Sequence, residues 1–105
     1  MPQFAFVYIG GDHPSSPEEG QKHFAKYQEW LGSLGEAAIS PMNPLKDSQT
    51  ISPSGDVTEG SSVGMSGYTI VEAGSLDAAV EMAKACPFLE INGTLEVSEI
   101  IQMPG

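Results

Sequence analysis

The chain predicts an α+β domain with a ferredoxin-like, split βαβ sheet: a βαβ unit, a hairpin, a second βαβ unit, and both helices on one face. Three observations predict it. Two dense β-type runs, residues 4–9 (FAFVYI) and 68–71 (YTIV), are each followed by a capped amphipathic stretch. Each of those stretches leads into a further short strand pattern. Between the halves, residues 46–67 are rich in Ser, Gly and Thr and carry the pattern of a small hairpin. At 105 residues the chain is expected to be one domain, residues 1–105, with a modest core.

In residues 4–9, Phe4, Phe6 and Tyr8 share one strand face and Ala5, Val7 and Ile9 the other, so both faces are apolar. Gly10 and Gly11 end this strand. Ser16 then serves as an N-cap, with Pro17 at the first helical position and Glu19 at the third, a capping-box arrangement. Phe24, Tyr27, Leu31 and Leu34 mark the inward face of the first helix, with Trp30 and His23 sharing a flank, and Gly35 ends it. The second strand, residues 37–40, is weaker and is cut short by Pro41. Residues 49–51 and 56–58 flank Pro53-Ser54-Gly55 as an irregular hairpin, and residues 61–66 are the least structured by composition.

Residues 67–87 hold the clearest strand–helix unit. Gly74 breaks the strand, Ser75 caps the helix, and Asp77 suits its positive end. Leu76, Ala79, Val80, Ala83 and Cys86 make one apolar stripe, and Pro87 bars further helix. After a bend over residues 88–93, a last strand runs from residue 94 to about 103, with a bulge expected at Ile100-Ile101. Helices on one face leave the apolar residues of the other face needing cover. A second copy supplies it, sheet against sheet across a two-fold axis, so a homodimer is expected.

Composition excludes several classes. A net charge of −10 with four Lys and Arg residues leaves no basic patch for nucleic acid or an anionic membrane surface. One cysteine rules out an intrachain disulfide and a Cys-rich metal site, and Cys86 on the apolar stripe reads as a small buried hydrophobe. No signal-peptide pattern opens the chain, and no run nears the roughly 18 apolar residues of a membrane span. A cytoplasmic location is the expectation. The Asp12-His13 pair lacks further ligands, so neither a metal nor a cofactor is expected.

The strand and helix GYTIVEAGSLDAA, continued by MAKACP and closed by EVSEI at residues 96–100, together with the SPMNP stretch after the first helix, resemble the YCII-related (DGPF) family. The resemblance covers nearly the whole chain. It implies a dimeric α+β barrel and places the chain among small, mostly uncharacterised bacterial proteins. Some relatives carry a first-helix His paired with an Asp as an acid–base dyad, with dehalogenase or muconolactone-isomerase-like roles suspected. Here the Asp-Gly-Pro-Phe signature is replaced by TEGSSVGMS, residues 58–66, and the family His position falls on Phe24, next to His23. Asp47 lies near the place of the acidic partner.

His23 is the one group suited to acid–base work near neutral pH that also sits on a structured element. Three functional classes follow. One is a homodimer with a small-molecule cavity lined by Phe6, Tyr8, Tyr27, Trp30 and Met65. A second is a cofactor-free isomerase- or lyase-type enzyme with His23 as general base, oriented by Asp47 or Asp12. A third is a structural domain without a cavity. Met42, Met65, Met82 and Met103 serve as core filling or cavity lining.

Overall fold

In a computed structural model, which describes residues 1–102, the alternating run at the N-terminus is strand β1 (Gln3–Gly10). Phe4, Phe6 and Tyr8 are buried while Ala5, Val7 and Ile9 are half-exposed, so the two-residue period sets which side meets the helices. Helix α1 (Pro17–Leu34) starts where the capping pattern placed it, with Ser16 Oγ accepting from Glu19 N at 3.2 Å. The Glu19 carboxylate reaches back one residue further than a standard capping box. It accepts from Ser15 N at 3.0 Å and Ser15 Oγ at 2.6 Å, which holds its pKa below the usual carboxylate value. Tyr27, Leu31 and Leu34 pack against the core as expected, and Phe24 is the departure. Trp30 is buried and Phe24 is 46% exposed, so His23, Tyr27 and Trp30 form the inward row at spacings of four and three.

Strand β2 (Ala38–Pro44) runs through Pro41 instead of stopping at it. The reason is its place in the sheet, whose order is β2–β5–β1–β6. As an edge strand β2 pairs only with β5, and the ladder is irregular between Ala38 and Ser40 and between Ser40 and Asn43. Pro41 lies in that gap, where no N–H is required of it. The polar interval folds as its own hairpin, β3 (Gln49–Ile51) against β4 (Val57–Glu59), with Ile51 and Val57 both exposed.

Strand β5 (Met65–Glu72) starts earlier than composition suggested. A turn over residues 61–64 feeds it, with Met65 N donating to Ser61 Oγ at 3.0 Å and Gly10 N donating to Gly64 O at 2.9 Å. Helix α2 (Leu76–Lys84) is capped by Ser75 Oγ, which accepts from Ala78 N at 3.1 Å. Pro87 does stop α2, yet it also opens a short 3-10 turn over Pro87–Ile91, because a first helical position needs no N–H. Strand β6 (Gly93–Glu99) is shorter than expected. Its last bond to β1 is Ile100 N to Gln3 O at 2.8 Å, after which the partner strand has run out, so Ile100 and Ile101 form no bulge. The remainder of the expected strand, to Met103, lies outside the described residues.

The four long strands are antiparallel neighbours, and each βαβ crossover leaves room for one strand of the other unit. This is the split βαβ, ferredoxin-like arrangement, α+β in class. One core joins Phe4, Phe6 and Val71 of the sheet to Trp30 of α1, Ala79 and Ala83 of α2, and Cys86. Trp30 Nε1 donates to Met82 O at 3.0 Å, which ties the two helices together. On the opposite face the pairs Ala5–Ile70 and Val7–Tyr68 are half-buried. Among the described residues no helix is long and apolar enough to cross a membrane.

Candidate functional site

The sheet's inward row on β5 is Gly67, Thr69 and Val71, continued just past the strand's end by Ala73, all buried. Thr69 is the one polar member, and a fully buried hydroxyl needs partners. It finds them across the sheet. Tyr8 Oη lies 2.5 Å from Thr69 Oγ1, Tyr27 donates to Tyr8 Oη at 2.8 Å, and Thr69 donates to the Pro41 carbonyl at 2.8 Å. Tyr27 Oη is also 3.3 Å from Thr69 Oγ1. β1, β5, β2 and α1 thus each contribute to one hydrogen-bonded chain. Burial pushes the Tyr8 phenol far above its ordinary pKa, so it stays protonated and serves as a hydrogen-bonding hydroxyl.

Above this chain lies a cleft of about 210 Å³ between α1 and the sheet. His23, Phe24 and Tyr27 of α1 form one wall, and residues 42–44 of β2 and 66–68 of β5 the other. Tyr8 and Phe88 close its floor and end, ring edges against faces with centroids 5.2 Å apart. Phe88 is held by glycines. A Cβ at Gly93 would stand 2.2 Å from its ring, and one at Gly11 2.8 Å from it, so only bare backbone lets the ring lie there. Close approach also explains Gly67, where a Cβ would meet the Asn43 carbonyl at 2.9 Å. An apolar cavity of about 150 Å³ holds a benzene-sized molecule. The cleft therefore suits a single substituted ring.

Of the residues expected to line a cavity, Tyr8 and Tyr27 do so, joined by His23. Phe6 and Trp30 do not. They are 0% and 5% exposed and pack on each other at 6.0 Å in the core, one layer further along the sheet from the opening. Met65 pairs with Ile9 at the start of β5 and does not line the cleft. His23 and Asp47 are not brought together. Asp47, with φ of 56°, lines a separate polar depression with Ser48, Gln49, Glu59 and Gly60. Asp12 is engaged elsewhere, accepting from Asn92 Nδ2 at 2.6 Å and pinning the turn before β6. Cys86 is buried, and burial pushes its thiol up to about 11, so it is an inert core group at neutral pH. Among the described residues no three His, Cys, Asp or Glu side chains converge as a metal site.

Phe88, Thr69 and Pro41 were not foreseen as parts of the site. The one available signal was Thr69 alone among apolar neighbours on an inward strand row.

A solved structure of similar fold is 5-chloro-2-hydroxyhydroquinone dehydrochlorinase (TftG) from Burkholderia phenoliruptrix AC1100, in complex with 2,5-dihydroxybenzoquinone. It is 19% identical, with 95% of each chain covered and a TM-score of 0.50. No curated protein matches the chain. The YCII-related domain matches residues 5–104, nearly the full length, and the chain belongs to that family.

Proposed function

We propose that this protein binds a small, largely apolar, single-ring organic molecule in the cleft between α1 and the sheet, and that it does so as a homodimer. The observation that carries the reading is the cleft itself: aromatic walls from Tyr8, Phe24, Tyr27 and Phe88, with the Tyr27 hydroxyl and His23 as polar groups in the same small space. The dimer is supported by the half-buried apolar pairs Ala5–Ile70 and Val7–Tyr68, on the sheet face away from the two helices of the described residues. Binding is tested by titrating single-ring fragments and following the amide signals of residues 66–68. Saturable shifts there are expected, and their absence overturns the reading.

A second reading is a cofactor-free isomerase- or lyase-type enzyme with His23 as general base. It is favoured by the placement of His23 four residues before Tyr27 on the inward row of α1, facing the same cleft. The dehydrochlorinase is a precedent for chemistry on this fold, while the reading for this chain rests on the cleft. Asp47 and Asp12, the orienting acids offered by the sequence, stand outside the cleft, so His23 would work beside Tyr27. His23→Gln separates the two readings. A binding protein keeps its ligand affinity within a few-fold, whereas an enzyme keeps binding and loses turnover by roughly 10²-fold or more.

A further inference from the structure

We infer that the cleft is polarised to receive a hydroxyl group, that of an alcohol or phenol, and disfavours an ether, carbonyl or carboxylate oxygen at the same place. The inference rests on the cleft being a ligand site and names the chemistry that the site selects.

A carbonyl oxygen only accepts, so the single hydroxyl proton of Thr69 goes to Pro41 O. Thr69 Oγ1 then has no proton left for its neighbours and must accept from Tyr8 Oη. Tyr8 has thereby given away its own proton, and Tyr27 donates to Tyr8. The longer contact between Tyr27 and Thr69 at 3.3 Å can only share that same Tyr27 proton, because Thr69 has nothing left to donate. The proton of Tyr27 therefore points inward, and only the lone pairs of its oxygen remain for the cleft that it lines. A ligand hydroxyl can donate to those lone pairs. An acceptor oxygen would meet lone pair with lone pair, unless Tyr27 turned its proton away from Tyr8 and gave up that hydrogen bond.

Thr69 is thus a positioning residue. It does not line the cleft, yet it sets the direction of the chain that ends there. Thr69→Val removes both the acceptor for Tyr8 and the donor to Pro41, and frees the two tyrosines to reverse. Thr69→Ser keeps the hydroxyl and the direction.

The experiment compares p-cresol with 4-methylanisole, its methyl ether, by amide NMR titration of the wild type, Thr69→Ser and Thr69→Val. The expected result is p-cresol binding roughly tenfold more tightly than the ether in the wild type and in Thr69→Ser, the worth of about one hydrogen bond. In Thr69→Val the preference should fall to about twofold or less. Equal affinities in the wild type overturn the inference while leaving the cleft a ligand site, as does an unchanged preference in folded Thr69→Val. If neither compound shifts the cleft amides, the binding reading itself fails and the inference falls with it. Should Thr69→Val not fold, the wild type and Thr69→Ser decide: preference in both supports the inference and preference in neither overturns it.

Discussion

Gly93→Ala moves the wall of the cleft from outside it. Gly93 opens β6 opposite Gly10, and an added methyl would stand 2.2, 2.3 and 2.7 Å from three ring atoms of Phe88. Ordinary contact begins near 3.4 Å, so the ring must retreat by about 1.2 Å. Gly11 and Tyr8 flank the same ring, which itself lines the cleft. The backbone at Gly93 is not in the left-handed region, so the cost is steric and not conformational. Overpacking of this kind costs about 1–3 kcal/mol. For a domain of this size that lowers Tm by roughly 5–20 °C. Thermal and urea unfolding measure it, and a cycle with Phe88→Leu isolates the cause. The smaller, flexible side chain should recover about 1 kcal/mol or more as a coupling energy. A Gly93→Ala protein within about 0.5 kcal/mol of wild type, or one equally destabilised in the Phe88→Leu background, would refute the packing argument.

Other outcomes follow from single features. Ser16→Ala removes the acceptor for Glu19 N and should cost about 1 kcal/mol in urea unfolding. The Cys86 thiol has an ordinary value of 9.0 and is pushed up to about 11 by burial, so the folded state holds its proton more tightly than the unfolded state does. Its contribution, roughly 2–3 kcal/mol, is complete below pH 9 and is lost as pH rises from 9 to about 11. Cys86→Ala should flatten the first part of that alkaline loss, from pH 9 to about 10, above which the raised Tyr8 phenol adds a loss of its own because the unfolded phenol ionises at 10.0. If the proposed homodimer forms through the sheet face of Ala5, Val7, Tyr68 and Ile70, Ile70→Lys places a charge in that interface and should shift sedimentation from dimer to monomer without unfolding the chain.

Residues 67–87 were legible because every local signal agrees there: β-type residues, a glycine break, a serine cap, an apolar stripe and a proline stop. The YCII resemblance rests above all on the same stretch, and the chain belongs to that family. Pro41 misled because its tolerance depends on β2 being an edge strand with a broken ladder, a fact of sheet order that no local window contains. Phe6, on a strand face that sequence could not tell from its opposite, and Trp30, expected on a helix flank, were both expected in the cavity and lie in the core instead. Periodicity tells which side a residue faces, but depth along the sheet decides between core and opening. The chain from Tyr27 to Pro41 was illegible for a further reason. Tyr8 and Thr69 are 61 residues apart, and strand register alone brings them together.

The central claim is that the cleft between α1 and the sheet is the place where a small molecule binds. The most direct measurement is a map of amide shifts across the whole chain as single-ring fragments are titrated. The account predicts saturable changes gathered at Tyr8, His23, Tyr27, Gly67 and Phe88, the residues that close around the cleft. Changes confined to Val7, Ile70 and the uncovered face, or no saturable change at all, would contradict it.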